Sequence, residues 1–179
     1  MKVLFLDFDG VINTTTGYDV NGSYRDSFNS VSDGIVNNHA AIQLVNRLCR
    51  EFDLAIVVSS KGGWRNSLRR DEAGNYIISP YKRTLYDSGL DEHTYIFGHT
   101  PATEFRKDME IKIFLEKHPE IDKFIILEDC IEEIGEDLLP YTVVCDTDKG
   151  FTEVEYRKAV SILRNQPEII RGNSYQENR

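Results

Sequence analysis

Short apolar runs and amphipathic stripes alternate along the chain. Lys2–Leu6 (KVLFL) ends at Asp7, and Leu54–Val58 (LAIVV) ends at Ser59 and Ser60. Tyr95–Phe97 is a brief third run. Phe124–Leu127 (FIIL) ends at Glu128 and Asp129, and Thr142–Cys145 (TVVC) ends at Asp146. Apolar runs without alternation predict strands buried on both faces, as in a parallel sheet. Between them, Ala41, Leu44, Val45, Leu48, Cys49 and Phe52 form one continuous helical stripe. Ile111, Phe114 and Leu115 mark a second helix, and Tyr156, Ala159, Val160 and Leu163 a third, opened by a capping box at Thr152 and Glu155. The order predicts an α/β fold, a central parallel sheet with helices on both faces. One domain is expected over residues 1–164, with a polar, frayed tail over 165–179.

The strand ends carry the chemistry. In open parallel sheets, ligands bind outside the carboxyl ends of the strands. That rule gathers Asp7, Asp9, Ser59, Glu128 and Asp129 at one edge. Asp7 and Asp9 are two apart, so in an extended chain they point the same way, with Cα atoms about 6.6 Å apart. Phe8 points oppositely, into the core, and Gly10 lets the chain turn at once. Converging carboxylates repel one another and need a neutralising partner. Mg²⁺ suits them, because it takes hard oxygen ligands and keeps room for water and phosphate. Taken singly, Ser59 reads as a helix N-cap and Glu128-Asp129 as a cap for the segment after β-strand FIIL. Their assembly at one edge is what reads as a site.

Composition narrows the class. The chain has 179 residues, 40% hydrophobic and 28% charged, an ordinary globular balance. No apolar run reaches the roughly 18 residues of a membrane span. Asp7 and Asp9 interrupt the N-terminal run, so it does not read as a signal peptide. A cytoplasmic protein without membrane contact is expected. Cys49, Cys130 and Cys145 are odd in number and widely spaced, which suggests neither a disulfide framework nor a zinc site. Cys49 and Cys145 read as small core residues. The net charge of −9 argues against general coating of nucleic acid. Residues 61–107 nevertheless hold eight Lys/Arg against six acids. This stretch is either a solvated face or an anion-binding rim.

LFLDFDGVIN, AIVVSS and IILEDC together resemble the first, second and fourth motifs of the haloacid dehalogenase-like (HAD) hydrolases. The third motif is a Lys or Arg upstream of the last strand. Lys107 fits by spacing, with Arg106 and Lys112 as rivals. A closer resemblance is to the nearly capless HAD domain of Swiss Army Knife RNA-repair proteins. It rests on Ser59-Ser60, Trp64-Arg65, His118-Pro119 and Glu128-Asp129. The chain departs from that pattern at Lys61-Gly62-Gly63, which lengthens the step to Trp64, and at Glu128, where Asp is usual.

The resemblance implies a Rossmann-like HAD fold without a large cap domain, acting as a Mg²⁺-dependent phosphatase. Asp7 is then the nucleophile, Asp9 the general acid and base, and Ser59 and Lys107 hold the phosphoryl oxygens. Asp7, Asp129 and the Asp9 backbone carbonyl hold the metal. Gly10, Ser60 and Arg65 line the substrate side. The cap insertion points, 11–38 and 98–103, are too short for a full cap. An open site suits a bulky phosphorylated substrate: a nucleic-acid end, a nucleotide or a phosphoprotein. Tyr18, Tyr24 and Phe28 either pin a flap or stack on a base. Two other classes share parts of this pattern: a receiver-like phosphoacceptor domain and a catalytically silent binding module. A receiver carries its acceptor on a later strand, unlike Asp7. The histidines His39, His93, His99 and His118 show no ligand spacing.

Overall fold

The computed structural model describes residues 1–14, 16–18, 24–26, 38–60, 80–101, 103 and 106–166. Five parallel strands form the central sheet in the order β5-β4-β1-β6-β7. They are β1 (Lys2–Leu6), β4 (Leu54–Val58), β5 (Ile96–His99), β6 (Lys123–Glu128) and β7 (Thr142–Val144). A separate antiparallel hairpin, β2 (Thr16–Tyr18) with β3 (Tyr24–Asp26), sits in the first insertion. Tyr18 pairs with Tyr24 across it.

The helices α1 (His39–Phe52), α2 (Pro80–Asp87), α3 (Lys107–Lys117) and α4 (Glu153–Asn165) follow the strands. One core layer joins Leu4, Leu6 and Phe8 of the β1 region to Val45 and Leu48 of α1, Leu85 of α2 and Ala159 of α4. The other joins Val3, Phe5, Ala55, Val57 and Ile126 to Ile111 and Phe114 of α3. The apolar runs are therefore covered on both faces, which is why they do not alternate.

Local signals fix the helix ends. The Asn38 side chain accepts from the Ala40 and Ala41 amides at 3.1 and 3.4 Å, capping α1. Asp53 closes α1 in the left-handed region at φ 56°. The Thr152–Glu155 capping box opens α4 as expected. Cys49 and Cys145 are both buried, and burial pushes the Cys49 thiol up to about 12.

The differences from the expected elements lie at polar boundaries. β5 runs to His99 rather than stopping at Phe97, and a register shift at Ile56/Val57 sets its pairing. α3 begins at Lys107, a polar turn ahead of its first apolar position. α4 extends through Asn165, so the expected boundary at 164/165 falls inside it. The Gln166 amide is buried and bonds the Phe124 N–H at 3.2 Å and carbonyl at 3.0 Å. The α2 segment shows too little periodicity to read as a helix. Among the described residues no helix is long and apolar enough to cross a membrane.

Candidate active site

Strand register aligns four polar side chains in one row. Leu6 pairs with Val58 and Leu127, and Val58 with His99. The next residue on each strand is therefore Asp7, Ser59, Glu128 or Thr100. Backbone bonds carry the row on: Asp7 N–H to Leu127 O at 3.1 Å, Ser59 N–H to Leu6 O at 2.9 Å, and Thr100 N–H to Val58 O at 2.9 Å. By strand alternation these residues follow Phe5, Val57 and Ile126 onto the face covered by α3. All four are nearly out of solvent: Asp7 5%, Ser59 0%, Thr100 0% and Glu128 0% exposed.

Lys107, the first residue of α3, reaches into that row and is only 4% exposed. Its amine donates to Asp7 Oδ2 at 2.8 Å and to Glu128 Oε2 at 2.5 Å. Glu133 caps the same helix end, accepting from the Lys107 N–H at 3.2 Å. Burial pulls the Lys107 ammonium down, but Asp7 and Glu128 outweigh it and leave the group above its ordinary value. Burial, then the Asp7 charge, hold the Glu128 carboxyl well above the usual range despite Lys107. The rival cations go elsewhere. Arg106 pairs with Asp108 at 3.3 Å, and Lys112 with Asp137 at 2.9 Å.

After Asp7 the chain turns tightly. The amides of Val11, Ile12 and Asn13 all donate to the Phe8 carbonyl, at 3.2, 2.9 and 2.7 Å. Phe8 itself is fully buried. Asp9 lies exposed, and the Asn13 amide donates to its Oδ1 at 2.7 Å. Gly10 sits at φ +71°, and a Cβ there would lie 2.0 Å from Asp129 Oδ2. No other residue fits both demands. The half-buried Asp129 also accepts from the Thr147 hydroxyl at 2.9 Å.

Asp7, Glu128 and Asp129 each offer one carboxylate oxygen, all within 4.8 Å of one another. Among the described residues one ammonium, that of Lys107, faces these acids, so the cluster keeps a negative excess there. Hard oxygen donors with unbalanced charge fit a divalent cation such as Mg²⁺. Among the described residues the Asp9 side chain is outside this group. Ser60 is buried beside Ser59. Arg65, Trp64, Phe28 and residues 61–79, 102, 104 and 105 of the basic stretch 61–107 lie outside the described residues, as do the side chains of Tyr18 and Tyr24. The partnerships of Asn13, Glu133 and Thr147 carried no signal in the sequence beyond their polarity.

Comparison with known proteins agrees with this fold. No curated protein matches the chain. Residues 3–156 match the family described as the HAD domain in Swiss Army Knife RNA repair proteins. That span runs from β1 into α4 and contains every carboxylate of the cluster. The chain is thus a member of this HAD family.

Proposed function

We propose that the protein hydrolyses phosphomonoesters through an aspartyl-phosphate on Asp7, and that its substrate is the phosphorylated end of a nucleic acid. The observation that carries the reading is the Lys107 bridge. A buried ammonium 2.8 Å from Asp7 supports a reading in which an anion's oxygens are held beside that carboxylate.

The steps follow from the residues. An Asp7 oxygen attacks phosphorus while the bond to the leaving oxygen breaks, and Asp9 gives that oxygen its proton. Asp9, now a carboxylate, takes a proton from water as the water oxygen attacks phosphorus. The Asp7–phosphorus bond breaks, and Asp7 and inorganic phosphate are released. Asn13 holds the Asp9 side chain for both transfers. Lys107 and Ser59 offset charge on the phosphoryl oxygens. Asp7 and Asp129, with the Asp9 backbone carbonyl, would hold Mg²⁺, which when bound supplies further positive charge there. Glu128 keeps Lys107 in place. Gly10, Ser60 and Arg65 are the residues proposed for substrate binding.

The family's own description, RNA repair, favours a nucleic-acid end over a small metabolite. The net charge of −9 favours recognition of an end over general coating. The test is hydrolysis of an aryl phosphate with Mg²⁺ and with excess chelator, then of 3′- and 5′-phosphorylated oligonucleotides and a phosphopeptide. Mg²⁺-dependent release of phosphate, fastest from an oligonucleotide end, is expected. No release from any compound makes the protein a silent binding module, and undiminished release in chelator removes the metal.

A further inference from the structure

We propose that Thr147 is a positioning residue that orients Asp129 toward the metal, an inference that rests on the function proposed above. The hydrogen bond to the Asp129 carboxylate falls on one oxygen. Thr147 Oγ1 donates to Oδ2 at 2.9 Å, and Oδ2 lies where a Cβ on Gly10 would stand. Oδ1 accepts no hydrogen bond among the described residues. The carboxylate is held through Oδ2 by one hydroxyl, in a close approach that Gly10 permits by lacking a Cβ, and Oδ1 keeps its lone pairs.

The hydroxyl comes from a turn that is itself fastened. Asp146 Oδ1 accepts from the Asp148 and Lys149 amides at 3.1 and 3.2 Å, and its carbonyl accepts from the Gly150 amide at 2.7 Å. The turn is pinned to the loop that carries the nucleophile. Phe151 N–H donates to Val11 O at 2.8 Å, and a Cβ on Gly150, at φ +70°, would lie 2.4 Å from that carbonyl. Val11 is two residues beyond Asp9, so the turn delivering Thr147 is fixed to the Asp7–Asn13 loop. Partners of ligating carboxylates fix ligand geometry and typically tune metal affinity 10–100-fold.

Thr147 is exposed, so its substitution spares the core. Calorimetric titration of the full chain with Mg²⁺ should show Kd about tenfold higher for Thr147→Val. Thr147→Ser, which keeps the hydroxyl, should stay within about twofold of the parent, far below the 10–100-fold typical of a lost partner. Melting temperatures without metal should be the same for all three proteins. An unchanged Kd in Thr147→Val overturns the inference alone, as does a Thr147→Ser as weak as Thr147→Val. A parent protein that takes up no Mg²⁺ overturns this inference and the proposed metal dependence together.

Discussion

The two edges of the sheet both carry charge, yet they treat it in opposite ways. At the amino edge a cavity of about 590 Å³ is lined by Lys2, Cys49, Arg50, Asp53, Thr94 and Tyr95. Its ions are wet. The Met1 amine lies 3.3 Å from Asp122, and His93 and Glu92 pair with side chains 87% and 85% exposed. At the carboxyl edge the Lys107–Asp7 pair has side chains 5% and 7% exposed. Exposed pairs contribute about 0–1 kcal/mol, whereas breaking a buried one costs about 3–5 kcal/mol. Among the described residues this cavity lies at the amino edge, and the buried, mutually dependent charges lie at the carboxyl edge. Charge held out of water at such expense marks the chemistry better than volume does.

Substitutions at the two edges should therefore differ sharply. The largest effect is expected at Asp7. Asp7→Asn should fall below a few per cent of the parent's aryl phosphatase rate, because the amide cannot attack phosphorus, with a far-ultraviolet dichroism spectrum unchanged. Activity above that level removes the covalent step.

Metal dependence comes next. Asp129→Ala should raise strongly the Mg²⁺ concentration needed for half-maximal rate, because it removes one of the carboxylates facing Asp7. Ca²⁺ should inhibit, since its looser coordination misplaces nucleophile and phosphate. A variant with the parent's Mg²⁺ requirement excludes Asp129 as a ligand.

Two lysines on one helix sharpen the contrast in stability. Lys107→Met leaves Asp7 and Glu128 buried against each other, and urea unfolding at pH 7 should show a loss of about 3–5 kcal/mol. Lys112→Met touches a pair that is half in water and should cost at most about 1 kcal/mol. The sign with pH is fixed by Glu128. A carboxyl raised in the folded state stabilises at low pH and loses that contribution as pH climbs through its folded value. Removing the ammonium raises Glu128 further, so the Lys107→Met deficit should shrink as pH falls from the variant's folded value to the parent's, about 8, and stay level below it. A deficit that grows on acidification contradicts the burial of paired carboxylates.

The smallest effect belongs to the amino edge. Arg50→Ala should leave turnover unchanged and shift stability by no more than about 0.5 kcal/mol. A clear loss of phosphatase rate there makes the cavity part of the site.

The same physics decides how legible each edge was in the sequence. The strands ending at Asp7, Ser59 and Glu128 were plain, because two-sided burial forces continuous apolar runs. The Asp-Phe-Asp-Gly turn was plain because Gly10 and the paired acids are local. Register then did what spacing could not: it put Thr100 beside Ser59, while the choice of Lys107 over Arg106 and Lys112, already favoured by spacing, is met by its bond to Asp7. α3 started earlier than its apolar stripe because Lys107, Asp108 and Glu110 are buried by polar partners, which hydrophobicity does not see. The hairpin of β2 and β3 was hidden because three-residue strands leave no period to count. The Asn13–Asp9 and Thr147–Asp129 bonds join single polar residues in loops, and only the folded chain brings them together.

The central claim is that Asp7 and Asp9, two residues apart, do different work. In the proposed mechanism Asp7, buried against Lys107, takes the phosphoryl group, and Asp9, exposed and held by Asn13, moves protons. An aryl leaving group needs no proton, so Asp9→Asn should still phosphorylate Asp7 and then stall for want of a base. General acid–base help is worth about 10²–10⁴-fold, enough for the intermediate to accumulate. The decisive measurement is the intact mass of enzyme quenched during aryl phosphate turnover. The account predicts one added phosphoryl group on Asp9→Asn, with a burst of about one equivalent of phenol, and none on Asp7→Asn. A phosphoryl group on Asp7→Asn, or its absence from both variants, contradicts it.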